Sequence, residues 1–249
     1  MDLRFLKEKN SYKMEDNSLG IIQPGKLGDL IIVLPAAKYL HNKGFTVYWP
    51  VYEQFADMFN EVVDYVNFIP VTNNVYNCVE QSYKKLHELN VTNIKDIAAT
   101  FPGSTSTDEY VKLGDGKVQP FDVFKYDKLG VPIDEKWNIT VNRNYEEEDK
   151  LYNKLVKSEK YAVVCLRHSR GELNVKFDES DGQVIHITDD YNIFYWLKIL
   201  ENAHTIALVE SSMSNLVEQF SFNCNKILFR KVDNYFMKLP VMKNKWKVV

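Results

Sequence analysis

The sequence of 249 residues predicts an α/β protein with a parallel sheet in each of two halves. Short apolar segments that suit buried strands alternate with segments of helical periodicity, and strands joined by helices pair in parallel. The alternation begins again near Tyr161–Leu166, which has the strongest buried-strand pattern of the chain. We therefore predict an N-terminal domain over residues 1–142 and a C-terminal domain over residues 143–249, each Rossmann-like.

In the first half, the strand pattern of Leu19–Ile22 leads through a glycine-containing loop into a helical segment from Asp29 to Leu40. Gly44 ends that helix, and Phe45–Trp49 forms a second strand, which completes a right-handed βαβ unit. Such a unit places its loop at the carboxyl edge of the sheet, where ligands bind. The later patterns predict helices at 53–62, 75–90 and 121–129, and strands at 66–71 and 93–99.

Asp29 is the first candidate functional residue, and two roles are open for it. As an N-cap it would satisfy free helix amides. As a carboxylate at the edge of a cleft it would take a proton from a hydroxyl, provided that one oxygen stays free. Gly25 starts the turn, Gly28 allows close backbone approach, and Lys26 either binds phosphate or is solvated. Pro35 predicts a late start or a kink in the helix.

The segment fits neither the phosphate-binding P-loop nor the dinucleotide Gly-x-Gly-x-x-Gly pattern. Gln23–Leu30, followed by Leu34-Pro35-Ala36, instead resembles the N-terminal signature of the ADP-heptose heptosyltransferases, glycosyltransferase family 9. This resemblance implies a GT-B-like fold, trimmed in this short chain, with two Rossmann-like domains facing across a cleft. It also implies that Asp29 is the catalytic base and that a nucleoside diphosphate sugar is the donor.

Basic and hydroxyl side chains follow the buried strand of the second half, where the carboxyl end of a parallel strand suits an anionic ligand. Arginine binds phosphate through two hydrogen bonds, and the resembled family uses a cationic side chain against the donor phosphates in this region. Which arginine acts is open. The candidates for the donor phosphates are Arg167, His168, Ser169, Arg170 and, further along, Lys176.

A second partial match to the same family follows the predicted strand at 205–209. Glu210, Ser211, Ser212 and Asn215 stand where the family has Asp-Thr-Gly-x-x-His. A strand that leads small hydroxyl residues into a helix leaves free amides for an anion, and a diphosphate fits that description. The alternative is an ordinary serine N-cap. The asparagine in place of histidine puts any imidazole role here in doubt.

Thr188 precedes a predicted helix at 188–200, and the resemblance places such a turn near the donor nucleoside. Thr188 and Tyr191 are therefore further donor candidates, while the aromatic residues of the helix suit the core. The Pro102–Glu109 segment predicts a loop whose hydroxyls either bind an acceptor or form plain surface.

Charge and cysteine content narrow the class of protein. The net charge is −3, but Phe222–Val249 carries seven basic residues and one acidic residue, a local charge of +6. Such a tail either meets phosphates, including those of nucleic acid, or is solvated. Three cysteines without ligand spacing indicate reduced thiols in a cytoplasmic protein. No segment approaches the roughly 18 apolar residues of a membrane span.

The sequence as a whole predicts a glycosyltransferase that uses no cofactor. Metal independence is expected because no Asp-x-Asp cluster lies at a strand end. Acceptors of two kinds fit: a cell-surface glycan, or a hydroxymethylated DNA base of the kind that small phage-type GT-B enzymes modify. Two other classes stay open, a non-catalytic nucleotide-sugar-binding module and a sugar-nucleotide epimerase of related fold.

Overall fold

The computed structural model of the chain describes residues 17–112, 119–168, 171–175, 177, 182–230 and 240–249. Three predicted phosphate ligands, Ser169, Arg170 and Lys176, lie outside the described residues, as does a turn predicted at 114–116. Among the described helices, none combines the length and the apolar character needed to cross a membrane.

The first half forms a four-stranded parallel sheet with the strand order β3-β2-β1-β4. Its strands are β1 (Ser18–Ile22), β2 (Thr46–Tyr52), β3 (Asn67–Val71) and β4 (Ile94–Asp96). The helices between them are α1 (Leu27–Asn42), α2 (Glu53–Asn60) and α3 (Cys78–Glu88). Apolar side chains such as Ile21, Ile22 and Trp49 are fully buried, which explains why the apolar runs of the sequence form the central strands.

Further helices connect this sheet to the second one. They are α4 (Thr107–Lys112), α5 (Phe121–Leu129), a 3₁₀ helix (Ile133–Trp137) and α6 (Tyr145–Leu155). Gly130 ends α5 in the left-handed conformation that favours glycine, with φ of 69°. The predicted helix at 121–129 is confirmed at both ends.

The second half forms a five-stranded parallel sheet with the strand order β11-β10-β9-β5-β8. Its strands are β5 (Tyr161–Cys165), β8 (Gln183–His186), β9 (Thr205–Val209), β10 (Asn225–Phe229) and β11 (Lys247–Val248). A small antiparallel pair, β6 (Arg167–His168) and β7 (Gly171–Glu172), follows β5. The remaining helices are a 3₁₀ helix (Ile193–Trp196), α7 (Leu197–Glu201) and α8 (Ser212–Phe220).

Helices α1 and α8 join the two halves. Buried residues of both helices, among them Leu34 and Leu216, belong to one apolar core. Pro35 lies inside α1 and has no amide hydrogen to donate. About one turn before it, the Ile32 carbonyl accepts hydrogen bonds from the Tyr126 hydroxyl (2.9 Å) and the Gln219 amide (3.4 Å). The two halves therefore hold α1 from both sides at this turn.

Two predicted helix starts are wrong. Helix α1 begins at Leu27, two residues before Asp29, because Lys26 adopts a positive φ of 63° and directs the chain into the helix. The predicted late start at Pro35 is therefore also wrong. The helix predicted from Thr188 begins only at Ile193, as a 3₁₀ helix, because the Asn192 side chain caps it by accepting from the Phe194 amide.

The C-terminal segment returns to the first half. The Val241 amide donates to Asp122 on α5 (2.8 Å), and the Val241 carbonyl accepts from Lys136 (2.6 Å). Glu218 on α8 then accepts from the amides of Lys243 and Asn244 before the chain enters β11. The boundary between residues 142 and 143 stays a prediction.

Candidate active site

A cavity of about 960 Å³ lies between the two halves. The loop before α1 and the first turn of α1 form part of its wall, and the ends of β5, β8 and β9 form the opposite part. Ten of the predicted site residues line it together: Lys26, Gly28, Asp29, Arg167, His168, Thr188, Glu210, Ser211, Ser212 and Asn215. The carboxyl edges of two parallel sheets thus meet at one cleft, which is where such sheets bind ligands.

Asp29 is the third residue of α1 and not its N-cap. No side-chain capping hydrogen bond forms at this helix start, so the interpretation of Asp29 as a cap is wrong. Its amide donates to the Lys26 carbonyl (2.9 Å), and its carboxylate lies in the first turn, where the helix dipole favours negative charge. The carboxylate Oδ1 lies 3.2 Å from the Lys125 ammonium, and the side chain is 19% exposed. Among the described residues, Oδ2 has no hydrogen-bond partner.

Lys125 on α5 is the residue that the sequence analysis missed. It is 5% exposed, and its ammonium donates to the Gln23 side chain and to the Ile97 carbonyl (3.0 Å) besides contacting Asp29. Burial lowers the pKa of Lys125, and the Asp29 carboxylate acts in the opposite direction. One signal was present: Lys125 lies four residues after Phe121 and four before Leu129, on the apolar stripe of a predicted helix.

Lys26 lines the cavity but already has partners. Its ammonium donates to the Thr100 hydroxyl (3.0 Å) and lies 5.2 Å from the centre of the Phe101 ring. Gly25 does not line the cavity. A Cβ at Gly25 would lie 2.4 Å from ring atoms of Tyr52, so this glycine serves the packing of the loop against β2.

The start of α8 carries the second predicted motif. Ser211 is the N-cap residue, and its amide donates to the Ser214 hydroxyl (2.9 Å), which donates back to the Ser211 carbonyl (2.8 Å). Glu210 forms an ion pair with Arg230 (3.4 Å) at the end of β10. Ser211 is therefore the N-cap by position, while its own hydroxyl is buried and has no hydrogen-bond partner in the described part of the chain. This helix start faces the cavity.

The two predicted motifs touch each other across the halves. Asn215 donates its side-chain amide to the Gly28 carbonyl (3.4 Å). A Cβ at Gly28 would lie 2.9 Å from that amide nitrogen and 3.4 Å from the Ser212 Cα, so only glycine permits this approach without a shift. The first turns of α1 and α8 therefore meet at one point of the cavity wall, with Asp29 beside it.

The candidate phosphate ligands after β5 are partly engaged. Arg167 forms an ion pair with Asp189, and both side chains are exposed, by 48% and 89%. His168 and Thr188 line the cavity. The Tyr191 hydroxyl accepts from Lys154 (2.6 Å), and the Tyr191 ring also lines the wall. Arg167 therefore lines the cavity. To bind an anion, its guanidinium must either break the ion pair with Asp189 or bind both groups at once.

The loop after β4 is held by the carboxylate of Asp96. Asp96 accepts from the Ser104 hydroxyl (2.8 Å), from the amide of Thr105 (2.6 Å) and from its hydroxyl (3.0 Å). The predicted acceptor-binding hydroxyls of this loop are thus used within the loop, which favours the plain-surface alternative.

No group of three or more His, Cys, Asp or Glu side chains in the described part of the chain is arranged to hold a metal ion. Metal independence stays a prediction.

No protein-family model matches the sequence, and no curated protein matches it either. Solved structures do. A family 9 glycosyl transferase from Veillonella parvula superposes with a TM-score of 0.59 over 93% of this chain and 85% of that chain, at 10% identity.

The E. coli heptosyltransferase WaaC also matches over 93% of this chain and 92% of its own. The TM-score is 0.50 at 14% identity for its complex with ADP-2-deoxy-2-fluoro heptose, and 0.51 at 13% for its complex with ADP. The chain therefore has the α/β fold of the family 9 glycosyltransferases, as the resemblance of Gln23–Ala36 predicted.

Proposed function

We propose that the protein transfers a sugar from a nucleoside diphosphate sugar to an acceptor hydroxyl. One observation carries this proposal: the Asp29 carboxylate lines a cleft of about 960 Å³ directly beside the start of α8. A volume near the upper end of the usual range for ligand pockets suits a nucleotide sugar with part of an acceptor. The solved WaaC structures hold ADP and an ADP-sugar analogue, which supports a donor of this class here.

The proposed chemistry assigns one role to each side of the cleft. Asp29 accepts the proton of the acceptor hydroxyl through Oδ2, as the acceptor oxygen bonds to the anomeric carbon of the donor sugar. The bond from that carbon to the diphosphate oxygen breaks, and the diphosphate leaves with additional negative charge. Free amides in the first turn of α8, together with Lys26 and Arg167, stabilise that charge.

The nucleoside of the donor is proposed to bind against the second half. Thr188, Tyr191 and Trp196 line the cavity there. The Trp196 indole nitrogen is buried and has no hydrogen-bond partner in the part of the chain that the structure describes. Because that nitrogen has no accessible surface, we propose contacts to a base or ribose only for Thr188 and Tyr191.

The acceptor is proposed only as a class. A glycan and a hydroxymethylated DNA base both offer a hydroxyl to Asp29. In the basic tail, Arg230 pairs with Glu210 and Lys243 pairs with Asp134 (2.9 Å), which reduces the charge available to nucleic acid and favours a glycan. Duplex DNA binding that weakens steeply with salt would favour the base instead.

Free thiols at Cys78, Cys165 and Cys224 support our inference of a cytoplasmic protein.

The test combines donor binding with one conservative variant. Thermal unfolding with UDP, ADP, GDP and CMP and their sugars identifies the donor, because a ligand at 100 times its Kd adds about 2.7 kcal/mol of stability. Asp29→Asn is then expected to reduce transfer by about 10²- to 10⁴-fold, the contribution of a general base, with donor affinity unchanged. Undiminished transfer would overturn the base assignment, and a protein that binds none of these nucleotides would overturn the donor.

A nucleotide-sugar-binding module without catalysis is the second candidate. The contact between Lys125 and Asp29 favours it, because a carboxylate that pairs with a buried ammonium 3.2 Å away has a structural role without acting as a base. Under this candidate, donor binding persists without transfer to any acceptor, and Asp29→Asn changes nothing but stability. An epimerase would convert the donor sugar with no acceptor present.

A further inference from the structure

We propose that Lys125 is the positioning residue of the base: its ammonium holds Oδ1 of Asp29 and leaves Oδ2 for the acceptor hydroxyl. This inference rests on the proposed function, in which Asp29 takes the proton. Lys125 lies on α5, outside the two cleft motifs Gln23–Leu30 and Glu210–Asn215, so the inference adds a third segment to the site.

The geometry around the ammonium fixes its position. Lys125 contacts one oxygen from each of three segments: the Gln23 side chain after β1, the Ile97 carbonyl after β4, and Asp29 in α1. An ammonium has three donors, so these contacts use all of them. Gln23 is itself 1% exposed and donates to the Gly25 carbonyl (2.9 Å). The carboxylate is thus tied to the edge of the sheet through buried groups with fixed partners.

Stability alone gives little reason for a lysine at this position. Burying an ammonium is unfavourable, and replacing a buried ion pair with well-packed apolar residues is often neutral or stabilising. A leucine at position 125 would continue the stripe of Phe121 and Leu129 on α5. The lysine instead contacts Asp29, a carboxylate that lines the cleft.

The charge of Lys125 has a specific use once an anionic donor enters the cleft. A diphosphate near Asp29 would favour protonation of the carboxylate, which would disable it as a base. A buried ammonium 3.2 Å from Oδ1 opposes that effect through the attraction between opposite charges. It also restrains the rotation of the carboxylate, so that Oδ2 keeps one orientation.

Other charged and titratable groups surround this pair on each neighbouring element. Lys26 acts from the loop before α1, Asp96 from the end of β4, and Tyr110 from α4. Burial raises the pKa of Tyr110, and the Asp29 carboxylate raises it further. The contacts from the first turn of α8, Ser212 and Asn215, are neutral, and Glu210 lines the cavity just before them. Among these groups, Lys125 is the cation in direct contact with Asp29.

The test replaces the ammonium and keeps the apolar stem, with Lys125→Met. We expect kcat to fall about 10- to 100-fold, as for a displaced catalytic group, with the donor KM within about twofold of the wild type. Because the variant lacks the cation that favours the ionised carboxylate, the acid limb of the kcat profile should move to higher pH. A purely structural lysine would not move that limb.

Lys136→Met is the matched control. Lys136 is also buried and also paired with an aspartate, Asp122, but Asp122 is fully buried and lines no part of the cleft. This variant should lose stability while its acid limb stays in place. If Lys125→Met does not fold, Lys125→Gln replaces it, because glutamine keeps a donor for the Gln23 and Ile97 oxygens without the charge.

The outcomes separate this inference from the proposed function. An unmoved acid limb in the Lys125 variant, or an equal shift in the Lys136 variant, overturns the inference while Asp29→Asn still abolishes transfer. If Asp29→Asn transfers sugar as fast as the wild type, the assignment of Asp29 as the base fails, and the inference fails with it. If the wild type transfers sugar to no acceptor, the proposed function itself fails. A shift confined to the Lys125 variant supports both.

Discussion

Two buried lysine–aspartate pairs of this protein each use a residue of α5 and differ in the exposure of their carboxylates. Lys125 pairs with Asp29 at 3.2 Å, and Lys136 pairs with Asp122 at 2.7 Å. In both, the ammonium also donates to a backbone carbonyl of a distant segment. The carboxylate of Asp122 is fully buried, however, whereas that of Asp29 is 19% exposed and lines the cleft.

The difference shows how the same chemical pair serves two purposes. Oδ2 of Asp122 accepts hydrogen bonds from both Lys136 and the Val241 amide. This closed pair therefore links the returning C-terminal segment to the first half. Asp29 uses Oδ1 for Lys125, and Oδ2 has no hydrogen-bond partner among the residues that the structure describes. A closed pair therefore joins segments, and an open pair offers a carboxylate to a ligand.

The largest expected effect separates the two aspartates by stability. Asp122→Ala leaves Lys136 buried without its partner, so the free energy of unfolding should fall by about 3–5 kcal/mol. Asp29→Ala should lower it by at most about 2 kcal/mol, because water from the cleft can solvate Lys125. Urea unfolding of both variants measures the difference. Equal losses would show that the open and closed pairs do not differ as described.

Glu218 on α8, which also binds the returning C-terminal segment, should make the stability respond to acid in a defined direction. Burial alone would raise the pKa of Glu218, but hydrogen bonds from the indoles of Trp246 and Trp137 and from the amides of Lys243 and Asn244 outweigh it. The pKa therefore lies below its usual 4.5. A lowered folded-state pKa adds stability that is fully present above pH 4.5 and is lost as the pH falls through the folded value.

Glu218→Gln tests this source of acid sensitivity. The variant should lose about 1.5–3 kcal/mol near neutral pH, because hydrogen bonds to a charged acceptor become weaker bonds to a neutral one. Its stability should then depend less on pH below about 4.5 than that of the wild type. Thermal unfolding across this range measures both. Parallel curves for the two proteins would mean that Glu218 contributes nothing to the acid response.

The contact between the two cleft motifs is the next point to test. Gly28→Ala places a methyl group 2.9 Å from the Asn215 amide nitrogen, so the Asn215 side chain must shift and its hydrogen bond to the Gly28 carbonyl is disturbed. We expect a loss of about 1–3 kcal/mol in unfolding free energy and weaker donor binding. Asn215→Ala removes the clashing atom, so the double variant should recover much of the loss. Additive effects of the two changes would rule out a direct contact.

The sequence predicted the strands and the two cleft motifs better than it predicted the buried contacts between distant residues. Apolar runs at Leu19–Ile22 and Tyr161–Leu166 were sufficient to predict central strands, because burial on both faces requires such runs. The Gln23–Leu30 and Glu210–Asn215 motifs predicted two walls of one cleft. Local patterns cannot show which distant residues meet, however, so the partners Lys125 and Lys136 were missed.

Helix starts were also hard to predict where a special backbone conformation decides them. Lys26 adopts a positive φ that is rare for lysine, and α1 therefore begins before the aspartate that resembles a cap. The 3₁₀ helix at Ile193 begins where Asn192 both caps it and donates to the Met58 carbonyl (3.2 Å), a contact between the halves. Such tertiary contacts override the residue preferences on which the prediction of a start at Thr188 depended.

An exposed pair completes the comparison and should give the smallest change in stability. Arg167 and Asp189 pair in solvent, where such pairs contribute about 0–1 kcal/mol, so Arg167→Gln and Asp189→Asn should both unfold close to the wild type. Donor binding should separate them. Arg167→Gln is expected to weaken it about tenfold, equal to 1.4 kcal/mol, whereas Asp189→Asn frees the guanidinium and should strengthen it. Calorimetric titration with the donor identified by thermal unfolding measures both affinities, and equal affinities for the two variants would remove Arg167 from the donor site.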